Sequence, residues 1–88
     1  MVTVFRANGL RVIIFADDHQ PAHVHVFGDG QAKINLLGAD GSPELVWPEL
    51  VWVEGMTGGE TRRAMRIVTE QQLLLLARWE DIHGRTDR

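Results

Sequence analysis

Ala22 to Val26 and Gln31 to Leu36 alternate apolar and polar residues with a period of two, on either side of Gly28-Asp29-Gly30. In an extended chain successive side chains leave by opposite faces, so such a pattern predicts two strands that each bury one face. The glycine-rich triplet predicts a hairpin, and its register follows from the pattern. A two-residue Asp29-Gly30 turn would set Val26 opposite Lys33 and His25 opposite Ile34, mixing polar and apolar on each face. A three-residue turn with Gly30 in the left-handed conformation pairs Val26 with Ala32 and Val24 with Ile34. It also pairs His25 with Lys33 and His23 with Asn35. Only this second register gives a clean apolar face, and it gathers His23, His25, Lys33 and Asn35 on the other.

The neighbouring segments extend the sheet. Val2 to Phe5 and Arg11 to Phe15 are β-branched and aromatic runs around Asn8-Gly9, a strong hairpin signal. Asp17 to Pro21 reads as a polar loop, with Pro21 favouring an extended Gln20. Glu44-Leu45-Val46-Trp47 and Glu49-Leu50-Val51-Trp52 form a near-repeat split by Pro48, which marks an edge or a bulge. Trp47 and Trp52 read as core or interface anchors, and Trp47 is a candidate binding residue.

Beyond Gly59 the period changes. Met65, Val68, Gln72, Leu75, Leu76, Trp79 and Ile82 recur at three- and four-residue spacing, which draws one helical stripe. Thr57 supplies an N-cap, Glu60 suits the positive helix start, and Gly84 ends the helix. At about 1.5 Å per residue, a helix over 59–83 would be roughly 35 Å long. Leu73 to Leu76 is apolar all the way round, so part of this helix is expected to meet a partner or a second copy. The expected fold is α+β: an antiparallel sheet of four to five strands with one long C-terminal helix on one face. The strands lie at about 2–5, 10–15, 22–27, 31–37 and 44–53, in a single domain over 1–88.

Eighty-eight residues with 44% hydrophobic and 24% charged content suffice for one modest core. The absence of cysteine excludes disulfides and thiolate metal sites and fits a reducing cytoplasm. No signal peptide and no membrane-spanning run is expected. A net charge of −3 argues against nucleic-acid binding by bulk electrostatics, though it leaves room for local basic patches. Arg62, Arg63 and Arg66 read as a solvated helix face. A DNA-binding regulator ranks lower, because the helix is mostly apolar and acidic toward its end.

The chain resembles the small bacterial proteins of domain of unknown function 4160. The resemblance covers nearly the whole length. It rests on the opening Val-Phe-Arg and Asn-Gly-Leu-Arg-Val, on Asp18-His19-Gln20-Pro21-Ala22-His23-Val24-His25-Val26, on Gly30-Gln31-Ala32-Lys33, and on Trp79-Glu80-Asp81-Ile82-His83-Gly84. The Pro-x-His-Val-His-Val core is its most specific part. The resemblance implies a small antiparallel sheet with a C-terminal helix. It also implies gene neighbourhoods shared with a second small family, domain of unknown function 2442, in arrangements resembling toxin–antitoxin pairs. Many relatives end the helix with an aromatic where this chain has His83, a departure from the family pattern.

Three of the four histidines fall between His19 and His25, and they carry the functional expectations. The leading one is a toxin-like component acting on RNA without metal. His23 and His25 would share the acid and base roles, Lys33 would supply the cation, and His19 or His83 would complete the set. The alternative is a zinc or other transition-metal site made by His19, His23 and His25, with Asp17 or Asp18 as an added oxygen ligand or supporting partner. Lys33 beside His25 counts against it. The third expectation is a non-catalytic partner-binding protein whose histidines are tolerated surface residues, its partner being a cognate small protein of the second family.

Overall fold

In a computed structural model of the chain, which describes residues 2–37 and 47–84, five strands form one antiparallel sheet and two helices follow. The strands are β1 (Val2–Ala7), β2 (Leu10–Ile14), β3 (His23–Phe27), β4 (Gln31–Asn35) and β5 (Glu49–Glu54), and they lie side by side in chain order. The expected strand over 44–53 starts in residues outside the described ones, and its described part begins at Glu49. Asn8 (φ 53°) and Gly9 (φ 79°) both take the left-handed conformation that a tight two-residue hairpin needs, between paired Ala7 and Leu10.

The β3–β4 register is the one that the alternation demands: Val26 opposite Ala32, His25 opposite Lys33, Val24 opposite Ile34 and His23 opposite Asn35. The reason for glycine at position 30 differs from the expected one. Gly30 is not left-handed, and its missing side chain instead lets the turn lie against β5, since a Cβ there would strike the Glu54 carbonyl and the backbone of Gly55.

The single long helix is two. Thr57 caps α1 (Gly58–Glu70), its hydroxyl accepting from the Glu60 N–H at 3.0 Å. Gln71 leaves the helical conformation (φ −105°, ψ 17°), and α2 (Gln72–His83) begins at once. The buried Gln72 amide donates to the Leu36 carbonyl at 2.6 Å, pinning the start of α2 to the end of β4. The two helices are roughly 20 and 18 Å long. Glu60 is also buried, and both its oxygens accept from the Asp29 N–H, at 3.2 and 3.0 Å. This contact joins the start of α1 to the β3–β4 turn.

The core lies between the helices and one face of the sheet. Val12, Ile14, Val24, Val26, Ala32 and Ile34 are fully buried against Ala64, Ile67, Val68, Leu75 and Trp79. Each of the valines, leucines and isoleucines among them contributes about 1.5–3 kcal/mol through burial. Leu73 and Leu74, 69% and 45% exposed, point away from this core, as expected for the stretch that is apolar all round. No helix among the described residues is long and apolar enough to cross a membrane.

Candidate functional site

Because Val24 and Val26 fill the core, His23 and His25 must leave β3 on the opposite face. The loop between β2 and β3 then brings Asp18 to them. Its carboxylate accepts from the Phe15 N–H at 3.3 Å, while the Asp18 N–H donates to the Phe15 carbonyl at 3.1 Å, so the aspartate is held from both ends. The loop enters β3 through a cis Gln20–Pro21 peptide.

Asp18 Oδ2 stands 3.2 Å from His23 Nε2 and 3.9 Å from His25 Nε2. One ligand atom from each of these three residues lies within 4.8 Å of the other two. His23 Nδ1 is 2.9 Å from the Pro21 carbonyl, which can only accept, so the ring donates its proton there. In the neutral ring Nε2 then carries a lone pair aimed at a carboxylate. Two acceptors face one another, and the arrangement becomes attractive when a positive species, a second ring proton or a metal ion, sits between them.

Lys33 stands opposite His25 in the register and Trp52 opposite Lys33. Burial lowers the pKa of His25 below its ordinary value of 6.5; Asp18 opposes that shift, and His23 and Lys33 add to it. His25 is therefore a neutral imidazole near pH 7, with a lone pair to offer. Phe15 and Trp52 flank it, with ring centroids at 4.9 and 6.1 Å. The cluster forms the floor of an open depression of about 360 Å³, whose rim includes Asp17, His19 and Gln20.

Of the residues expected from sequence, His23, His25 and Lys33 come together, and His19 stands exposed on the rim. Asn35 is buried beside His23 in the register, its Oδ1 without a hydrogen-bond partner among the described residues. Trp47 is 78% exposed and does not line the depression. His83 stacks on Trp79 at 3.8 Å, and Trp79 in turn lies 5.2 Å from His23, so an indole separates His83 from the cluster. Its Nδ1 and Nε2 each lie 3.1 Å from a backbone carbonyl, that of Trp79 and that of Phe15.

Asp18 is the residue whose place the sequence understated. It was legible only as one of two adjacent aspartates near histidines, and the turn that aims it depends on Phe15 backbone contacts that no spacing reveals. Trp52, expected as a core or interface anchor, walls the depression instead.

No curated protein and no solved structure matches the chain. The family model described as domain of unknown function (DUF4160) matches residues 9–80, which include all five histidine-site residues His19, His23, His25, Lys33 and Asp18, and the chain belongs to that family.

Proposed function

We propose that Asp18, His23 and His25 form a mononuclear metal centre, and that the chain is a small hydrolase of phosphate esters. Three ligand atoms within 4.8 Å of one another carry this reading. Two imidazoles and one carboxylate with an open side suit zinc or another first-row transition metal. Zinc at about 2.0–2.2 Å from each ligand would set the ligand atoms about 3.4 Å apart. The two separations from Asp18, 3.2 and 3.9 Å, bracket that value, and all three pairs lie within 4.8 Å. The bond from His23 Nδ1 to a backbone carbonyl is the supporting contact that metal-ligating histidines commonly make. His25, neutral near pH 7, needs no proton removed before it binds. Asp18 replaces the exposed His19 as third ligand, and its charge offsets Lys33.

An ion held there would acidify a water in its open position and polarise a phosphoryl oxygen. In the hydrolysis, the water oxygen bonds to phosphorus and the bond to the leaving oxygen breaks. One water proton ends on that leaving oxygen, and the other goes to the phosphate or to solvent. Lys33 stabilises the charge that develops on the phosphoryl oxygens. A toxin-like place in a two-protein module, which the family resemblance implies, is a cellular role that such chemistry would serve. The cognate small protein would be its inhibitor.

A second reading has its own observation. Neutral His25 beside Lys33 is also the pair that metal-free RNA cleavage needs, as base for a 2′-hydroxyl and as cation for the phosphorane. One experiment separates the two. Zinc is titrated into metal-stripped protein by calorimetry, and bis(p-nitrophenyl) phosphate turnover is followed with and without chelator. One equivalent bound by the wild type, and none by Asp18→Asn, supports the metal centre. No binding by the wild type sinks it, and turnover that survives chelation moves the assignment to the metal-free mechanism.

A further inference from the structure

The helices cover the valine face of the sheet; the opposite face buries Ile13, His23 and Asn35 but leaves Arg6, Arg11 and Trp52 exposed. That second face holds a continuous line of rings. Phe27 and Phe15 have centroids 6.5 Å apart, Phe15 and His25 4.9 Å, and His25 and Trp52 6.1 Å. None of these rings belongs to the core, and all are partly or well exposed. Cations are interleaved with them. Arg11 lies 5.8 Å over the Phe27 ring, Arg6 is its partner on β1, and Lys33 stands in the register between His25 and Trp52. A second hollow of about 430 Å³, at the β1–β2 turn, is lined by Arg6 and Arg11. The two register rows that hold Phe27 and His25 carry Arg6, Arg11 and Lys33 against Glu54, and the acids Glu49 and Asp18 lie at the His23 end of the face.

We propose that the exposed part of this second face is a platform for unpaired nucleotides, running from Arg6 and Arg11 across the rings to the Asp18–His23–His25 cluster. The inference rests on the phosphate-ester reading and names its substrate class: single-stranded nucleic acid. Aromatic side chains that stack bases, with cations between them for the backbone, are what single-strand binding needs, and a duplex hides its base faces from such a surface. An acidic peptide would engage the same cations but leave the line of rings without a partner.

The test measures fluorescence anisotropy of a short labelled RNA, the same sequence as DNA, its duplex, and a glutamate-rich peptide, at low and high salt. Wild type should bind both single strands, with the duplex and the peptide at least about tenfold weaker, as expected if stacking carries the affinity. Phe27→Leu keeps apolar bulk but removes a stacking ring, and should weaken single-strand binding about fivefold or more. Arg11→Gln, at an exposed position, should reduce the slope of log K against log salt by about 0.7. It keeps the test standing if Phe27→Leu fails to fold. No single-strand binding at low salt, equal binding of the duplex or the peptide, or an unaltered salt slope in Arg11→Gln overturns the proposal. Binding without zinc-dependent cleavage leaves the platform and removes the hydrolase reading. Zinc binding without oligonucleotide binding does the reverse.

Discussion

Two partly hidden stations in this molecule hold histidine, and their hydrogen bonds set them apart. At the end of α2, both ring nitrogens of His83 meet backbone carbonyls, and its ring lies flat on Trp79. Both nitrogens are faced by backbone oxygens, and these contacts join the helix end to the end of β2. At the start of β3, His23 gives one nitrogen to a carbonyl and keeps the other aimed at Asp18, with His25 Nε2 close by. Burial alone would not separate a clamp from a site. What the second nitrogen meets does: a backbone carbonyl at His83, and at His23 a carboxylate that also faces His25.

The largest expected effect sharpens that contrast. Asp18→Asn together with His25→Gln should lower zinc affinity more than about a hundredfold, beyond the loss seen when only an outer partner of a ligand is removed. His83→Gln should leave affinity within about twofold, and calorimetry on both variants checks this. Equal losses would erase the distinction between the stations. His23→Ala is the poorer probe, because His23 is 4% exposed against Trp79 and its removal opens a cavity.

Metal removal comes next in size. At a hundredfold excess of zinc over its dissociation constant, binding should stabilise the fold by about 2.7 kcal/mol. In a domain of this length that is a shift of roughly 10–20 °C in Tm. Chelator should abolish the shift in the wild type and have no effect on the Asp18→Asn/His25→Gln protein. An identical melt with and without zinc would place the β3 station in the same structural class as His83.

The two stations also differ in what sequence could reveal. The β3–β4 register was legible because one-residue slips would have put Lys33 and His25 into the core, so the alternation admits a single solution. The family motif pointed to the same strand. His83 looked equivalent to the other histidines, since its partners are backbone carbonyls distant in the chain, as in its bond to Phe15. Asp18 depended on a loop turn, and the break at Gln71 on a tertiary bond from Gln72 to Leu36. Periodicity reports which face is buried; it carries no signal for a single residue that leaves helical dihedrals within a continuous stripe.

A smaller effect concerns the clamp. His83→Ala removes two contacts to carbonyls and the stack on Trp79, and should cost about 1–3 kcal/mol. The result is a Tm lower by several degrees with zinc affinity unchanged. If thermal melts show no loss, the contacts at the end of α2 are not what holds it to β2.

The smallest effect is on pH dependence. His25 has its folded-state pKa below 6.5, chiefly through burial, with His23 and Lys33 adding to that shift and Asp18 opposing it. Between its folded and unfolded values the unfolded chain holds more protons at this position, so stability rises with pH through that window. The contribution is fully favourable above about pH 6.5 and is lost as pH falls toward the folded value. Metal-free wild type should therefore lose stability on acidification below pH 6.5 more steeply than His25→Gln, in urea melts read at several pH values. A steeper dependence in the mutant would mean that Asp18, not burial, dominates the environment of His25. The β3 station would then be a carboxylate–imidazolium pair rather than a site with a lone pair to give.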